Sequence, residues 1–183
     1  PYTMTVSDSE GVLTFSDVLV GDVWIAGGQS NMEWQLQWNV NDWEAEVKDS
    51  NYPQVRVYKV PNDYSSKPLQ DISGGEWLIA CDTNSPKFSA VAWFFAKQNH
   101  LEKGVPVGVV ESHWGGTPAE AWTSIETLTR TTGYEEIADT ILHPKKPWTE
   151  VEKENEQKDE RKWELMRDEA GAVASGAQMV DFD

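Results

Sequence analysis

At 183 residues the chain has room for one domain with a sizeable core and at most a fragment of a second. A formal charge of −16 argues against nucleic acid or an anionic membrane as a partner, because a phosphate surface selects clustered Lys and Arg. One cysteine, Cys81, excludes an internal disulfide, and with three scattered histidines it cannot build a metal cluster.

The acidity is not a tail effect: residues 1–143 carry 8 Lys and Arg against 20 Asp and Glu. In that part only Arg56 and Arg130 could form a bidentate clamp on a carboxylate or phosphate. Ten tryptophans exceed what a core of this size needs, and flat aromatic faces suit sugar rings. No apolar run approaches eighteen residues and no secretory leader is present, so the sequence as given predicts neither a membrane span nor an export signal. Pro1 is not an initiator methionine, and the chain is expected to begin partway through a longer protein.

"YTMTVSDSEGVLTFSDVLVGDVWIA" predicts short strands separated by the turns "SDSEG" and "GD", ending in a buried run at residues 23–26. A helical pattern is expected from Asn31 to about Val47, then an alternating strand at residues 54–60 and a long polar loop at 61–76. From Phe88 the apolar pattern has helix length and stops at Lys103 and Gly104, a cationic last turn followed by glycine. "VPVGVV", residues 105–110, predicts a strand buried on both faces, and Pro118 suits the first turn of a following helix. Strand and helix in alternation predict an α/β fold whose parallel sheet is covered on both faces, with sites at the carboxyl ends of the strands. After His143 the composition changes: residues 144–183 are expected to be a linker and a charged, solvated helix.

Two glycine-rich turns fall at strand ends. In "GGQSNMEW", Ser30 and Glu33 have capping-box spacing, and spacing alone favours a serine that caps its helix. The competing reading is a nucleophile, because a serine between a buried strand and a helix amino end is exposed and faces free N–H groups. Gly115-Gly116-Thr117 is either a tight turn or the second wall of the same pocket. No Lys follows those glycines as a phosphate loop requires. Of the histidines, His113 is the best placed, at a strand end beside the glycines, with a structural or substrate-facing role preferred to catalysis. Glu111 could orient its imidazole or lie in solvent.

The blocks "DVLVGDVWIAGGQSNMEW", "FSAVAWFFAK" and "GVPVGVVESHWGGTPAEAW" together resemble the sialate O-acetylesterase family, SGNH-type hydrolases that remove acetyl groups from sugars. The resemblance covers roughly residues 1–130. It implies an SGNH-like three-layer α/β/α domain at residues 17–143, preceded at 1–16 by the end of a β-domain, with a sheet that is incomplete. It implies that Ser30 is the nucleophile and that the block Trp114 to Thr117 borders the catalytic pocket; Ser30 and Gly116 are the candidate oxyanion-hole donors, and Gln29, Asn31, His113, Trp114 and Thr117 the candidate pocket residues. No cofactor or metal is implied.

The family's catalytic histidine and its acidic partner lie in a D-x-x-H-like block towards the carboxyl end, and nothing after Thr117 resembles it. "DTNSPKF", residues 82–88, also lacks the glycine expected of a second oxyanion block. The expected partners are therefore an O-acetylated carbohydrate and the carboxyl-terminal part of the same enzyme, joined to this chain or supplied as a second one. Secreted, periplasmic or lysosomal location follows from the resemblance alone. The rival functions are an acetyl xylan or other neutral-glycan esterase, and a carbohydrate-binding or scaffold module without turnover.

Overall fold

The computed structural model describes residues 1–65, 68–151, 153–155, 157 and 158. They divide into two compact units, Pro1–Pro118 and the described residues from Ala119 onward. The first contains strands β1 (Tyr2–Ser7), β2 (Val12–Val18) and β3 (Asp22–Gly28), helices α1 (Ser30–Glu33) and α2 (Trp43–Lys48), strands β4 (Tyr52–Lys59) and β5 (Trp77–Ala80), helix α3 (Ala90–Lys103) and strand β6 (Val107–His113). The second contains a 3₁₀ turn at Ala119–Trp122, then α4 (Ile125–Arg130) and α5 (Glu135–Leu142).

β1 and β2 pair as an antiparallel hairpin, its turn held by Asp8 Oδ1, which accepts the Glu10 and Gly11 N–H groups. The main sheet has the order β3-β6-β4-β5. β3, β6 and β4 are parallel, while β5 runs antiparallel to β4 at one edge. The sheet is thus mixed where a parallel one is expected. The reason is the connection: a parallel neighbour needs a crossover back along the sheet, whereas the segment after β4 contains no helix among its described residues and returns beside the end it left.

Residues 107, 109, 111 and 113 of β6 point to one face and are buried. There Val55, Val57, Val107 and Val109 meet Phe88, Trp93 and Ala96, with Leu36 closing the cluster. α3 covers this face because its first turn is capped by Ser89, whose Oγ accepts the Ala92 N–H, and Gly104 ends it with a left-handed φ of 66°. Glu46 on α2 accepts both Trp93 Nε1–H at 2.8 Å and Lys97 Nζ at 2.6 Å, tying α2 to α3. On the opposite face Val23 and Ile25 of β3 are 65% and 78% exposed, and Trp77 lies over Gly108.

The helix expected at residues 31–47 is not continuous. α1 stops after one turn, and the following segment pairs with the entry to α3 through Leu36 N–H to Phe88 O and Gln37 N–H to Pro86 O. Asn39 and Asp42 then take positive φ, which these residue types tolerate, before α2 begins. Residues 36–39 form a turn closed by Trp38 N–H to Gln35 O, and the backbone pairing with residues 86–88 replaces the helical bonds there.

In the second unit α4 is capped by Ser124, which accepts the Thr127 N–H, and Leu128 and Ala138 are the buried positions of its two helices. Residues 148–151, 153–155, 157 and 158 are helical; the rest of the expected charged helix lies outside the described residues.

β3 and β6 start in close contact. A side chain at Gly21 would collide with Pro106 O, whereas Gly11 in the hairpin turn has open space around it. Gly21→Ala should therefore cost about 1–3 kcal/mol, and Gly11→Ala should stay within about 0.5 kcal/mol. Urea unfolding of the two variants against the parent checks this, and equal midpoints would contradict it.

Candidate active site

The register of β3 on β6 pairs Gly28 with His113, so both strands end at the same height. Trp114 N–H then donates to Gly28 O at 3.1 Å, and the two glycine turns leave the sheet side by side at the carboxyl ends of the strands. Gly28 has φ of 152°, a conformation for glycine, and it swings the chain directly from β3 into α1.

Ser30 does not cap α1. The cap position is Gln29, which makes no side-chain capping bond; its carbonyl accepts the Met32 and Glu33 N–H groups. Ser30 is the first helical residue, exposed, and its Oγ donates to Gln29 Oε1 at 3.1 Å. Glu33 does not reach back as a capping box requires. Its Oε2 instead accepts the Gly115 N–H at 2.7 Å, joining the two turns. Among the described residues the Ser30 hydroxyl therefore caps no helix and bonds the neighbouring Gln29 amide alone.

Gly115 faces this pair so closely that a side chain there would strike Glu33 Oε2 and stand 3.4 Å from Ser30 Oγ. Gly116, at φ of 78°, is exposed with nothing near its missing Cβ. Thr117 Oγ1 donates to Trp114 O at 2.7 Å. Among the described residues neither the Ser30 nor the Gly116 N–H makes a hydrogen bond, and a developing oxyanion needs donors of that kind. Gln29 and Asn31 are exposed on either side of Ser30, and Trp114 is half-buried.

His113 is placed differently from the pocket-bordering position expected of it: it is 4% exposed and lies on the α3 face of the sheet. Its Nε2 is 3.2 Å from Glu111 Oε2, while Nδ1 is buried with no partner. Glu111 is itself buried; its Oε1 accepts the Ser89 N–H at 2.8 Å, and Ser89 Oγ contacts Met32 Sδ. Of the two readings of Glu111, the buried one that orients the imidazole is observed. His113 therefore makes no hydrogen bond to Ser30, and His100 Nδ1 is bound to Val105 O at the other end of α3. Among the described residues of the first unit no imidazole serves Ser30 as a base.

Sequence reasoning found both glycine turns but not what joins them. The Glu33 to Gly115 bond spans 82 residues, and the local spacing of Glu33 pointed to a different partner. Asn39 and Asp42, residue types that tolerate positive φ, are the local signal that could have shortened the expected helix. A cavity of about 510 Å³ lies elsewhere, at the amino ends of the parallel strands, between Met4, Phe15, Arg56, Trp77 and Pro106. It includes none of the turn residues described above. Among the described residues no group of three or more His, Cys, Asp or Glu side chains is gathered as metal ligands would be.

No family model matches the chain. The sialate O-acetylesterase of Rattus norvegicus is 32% identical over 131 residues, which are 68% of this chain and 24% of the relative. That of Homo sapiens is 33% identical over 129 residues, 63% of this chain and 24% of the relative. The chain thus spans about a quarter of the length of these relatives. Among solved structures, a carbohydrate acetylesterase from Xanthomonas citri is 45% identical with a TM-score of 0.67, covering 70% of this chain and 29% of that one.

The two serines at helix starts should respond oppositely to truncation. Ser89→Ala removes a capping bond and should cost about 0.5–2 kcal/mol, whereas Ser30→Ala removes none and should stay within about 0.5 kcal/mol. Urea midpoints that fall in the reverse order would restore Ser30 as a structural cap.

Proposed function

The matched part of the chain belongs to the sialate O-acetylesterase family, and on that premise we propose that it is the amino-terminal part of a serine hydrolase domain that removes O-acetyl groups from carbohydrate. The observation that carries the reading is the exposed Ser30 hydroxyl, free of any capping role, at the carboxyl end of β3 beside the Gly115-Gly116 turn. In the reaction Ser30 Oγ attacks the acetyl carbonyl and gives up its proton to an imidazole. The Ser30 and Gly116 N–H groups hold the oxyanion, the sugar hydroxyl leaves, and water then releases acetate from the acetyl-serine. This chemistry needs no cofactor.

The imidazole and its acidic partner come, in this reading, from the remainder of the enzyme, joined to this chain or supplied as a second one. Two observations support that division. The chain spans about a quarter of the relatives' length, and β3 is an apolar strand with a neighbour on one side only among the described residues. A parallel strand with Val23 and Ile25 so exposed is of the kind that sheets bury. Location outside the cytosol, whether secreted, periplasmic or lysosomal, belongs to the same proposal and rests on the family likeness. No helix among the described residues is long and apolar enough to cross a membrane.

A neutral acetylated glycan such as acetyl xylan is the second reading of the substrate. It is favoured by Arg56, the one arginine in residues 1–118, whose guanidinium is bound to Asp17 through the backbone carbonyl at 2.7 Å and Oδ1 at 2.9 Å. A sialate carboxylate would have to be clamped by residues outside this unit.

In the full-length protein, Ser30→Ala should lower acetate release by roughly 10⁴-fold or more. A fluorophosphonate probe should label the parent at Ser30 and leave the variant unlabelled. Turnover by the variant at the parental rate would remove the nucleophile, and an unlabelled, inactive parent would favour a binding module. The chain of residues 1–183 alone should release little acetate and regain turnover when the remainder is co-expressed. Full activity without it would place the base within this chain. Acetate release from acetylated xylan and from O-acetylated sialic acid, compared side by side, decides the substrate.

A further inference from the structure

The peptide unit between Trp114 and Gly115 is held at both polar ends by side chains. Its N–H donates to Glu33 Oε2 at 2.7 Å, and its carbonyl accepts Thr117 Oγ1 at 2.7 Å. The preceding amide, Trp114 N–H, is bound to Gly28 O. Once that peptide plane is fixed, the direction of the next N–H, that of Gly116, depends on the backbone angles of Gly115 alone. Glycine supplies no stiffness of its own, so a Gly-Gly turn without such a clamp samples many orientations.

We infer that Glu33 is a positioning residue: its carboxylate engages Gly115 N–H so that Gly116 N–H, and not its neighbour, is presented as the oxyanion donor beside Ser30. The contact is tight. A Cβ at position 115 would collide with Glu33 Oε2 and stand 3.4 Å from Ser30 Oγ, so the carboxylate, the glycine and the nucleophile share one small region. A carboxylate there opposes a second negative charge forming nearby, which argues that geometry rather than charge is what Glu33 contributes. Gln at the same position would accept the same N–H without the charge. The inference rests on Ser30 being the nucleophile.

The test uses the full-length protein and acetate release from an acetylated sugar. Glu33→Ala should lower kcat by roughly 10²-fold, the usual loss for a misplaced or missing oxyanion donor, with KM changed by no more than about threefold, the pattern of an interaction made in the transition state. Glu33→Gln should restore kcat to within about tenfold of the parent. Should Glu33→Ala fail to fold by circular dichroism, Glu33→Asp takes its place: it keeps the charge, is one methylene too short, and should show the same loss in kcat. Parental kcat in the Ala or Asp variant overturns the inference. So does a Gln variant as slow as Ala, or a loss carried by KM. Ser30→Ala in the same series separates the two levels. A parent without acetate release, or a Ser30→Ala protein that keeps it, defeats the nucleophile on which the inference rests. A Ser30-dependent parent with parental kcat in Glu33→Ala defeats the positioning role alone.

Discussion

The parallel pairing of β3 with β6 is the constraint from which the site follows. Its register sets Gly28 against His113, and that single alignment puts two chain reversals, more than eighty residues apart in sequence, next to each other. Each reversal needs glycine for a different reason. Gly28 supplies a backbone angle other residues avoid, and Gly115 supplies room for a carboxylate. Once the strands are in register, Trp114 N–H and Gly28 O close the gap and Glu33 closes it again one step further out. The nucleophile candidate thus stands two residues beyond a paired strand end, where sheet geometry sets its position.

Beneath the turns, a polar chain inside the core links the layers. Glu111 on β6 accepts the Ser89 N–H at the start of α3, and Ser89 also caps that helix and touches Met32 of α1. A buried carboxylate is costly unless its lone pairs are used, and here one oxygen takes a backbone N–H while the other faces His113. The result couples the helix that covers the sheet to the strand that carries the Gly-Gly turn. His113, the histidine that position in sequence recommended, is consumed in that support.

The strands that matter were legible because strands of a covered parallel sheet are written as continuous apolar runs: "VWIA" and "VPVGVV" mark β3 and β6, although Val23, Trp24 and Ile25, expected to be buried, are exposed. α3 was legible for the complementary reason, with a clear glycine stop at Gly104. β5 was not, since four residues emerging from a long polar loop carry too little pattern to distinguish strand from coil. The stretch after Ser30 misled because Trp34, Leu36, Trp38 and Val40 satisfy an apolar count for a helix while the backbone turns at residues 36–39 and bonds to Phe88 and Pro86, partners distant in sequence. Glu33 misled for a deeper reason. A local motif offered it a near partner, and the one it takes exists only after the sheet has formed.

The strand order also has a kinetic consequence. β3 and β4 follow one another in sequence yet never touch as neighbours, because β6 lies between them. Whatever local structure forms first, the two earlier strands have no partner in each other, and β3 must wait for a third that is made about fifty residues after β4. β4 has β5 as an earlier and closer partner, whereas β3 pairs with β6 alone among the described residues, so the β3 ladder carries the larger loop-closure entropy. The turns that carry Ser30 and Gly116 meet only through the β3–β6 register, so a sheet in which β4 and β5 alone are paired does not bring them together.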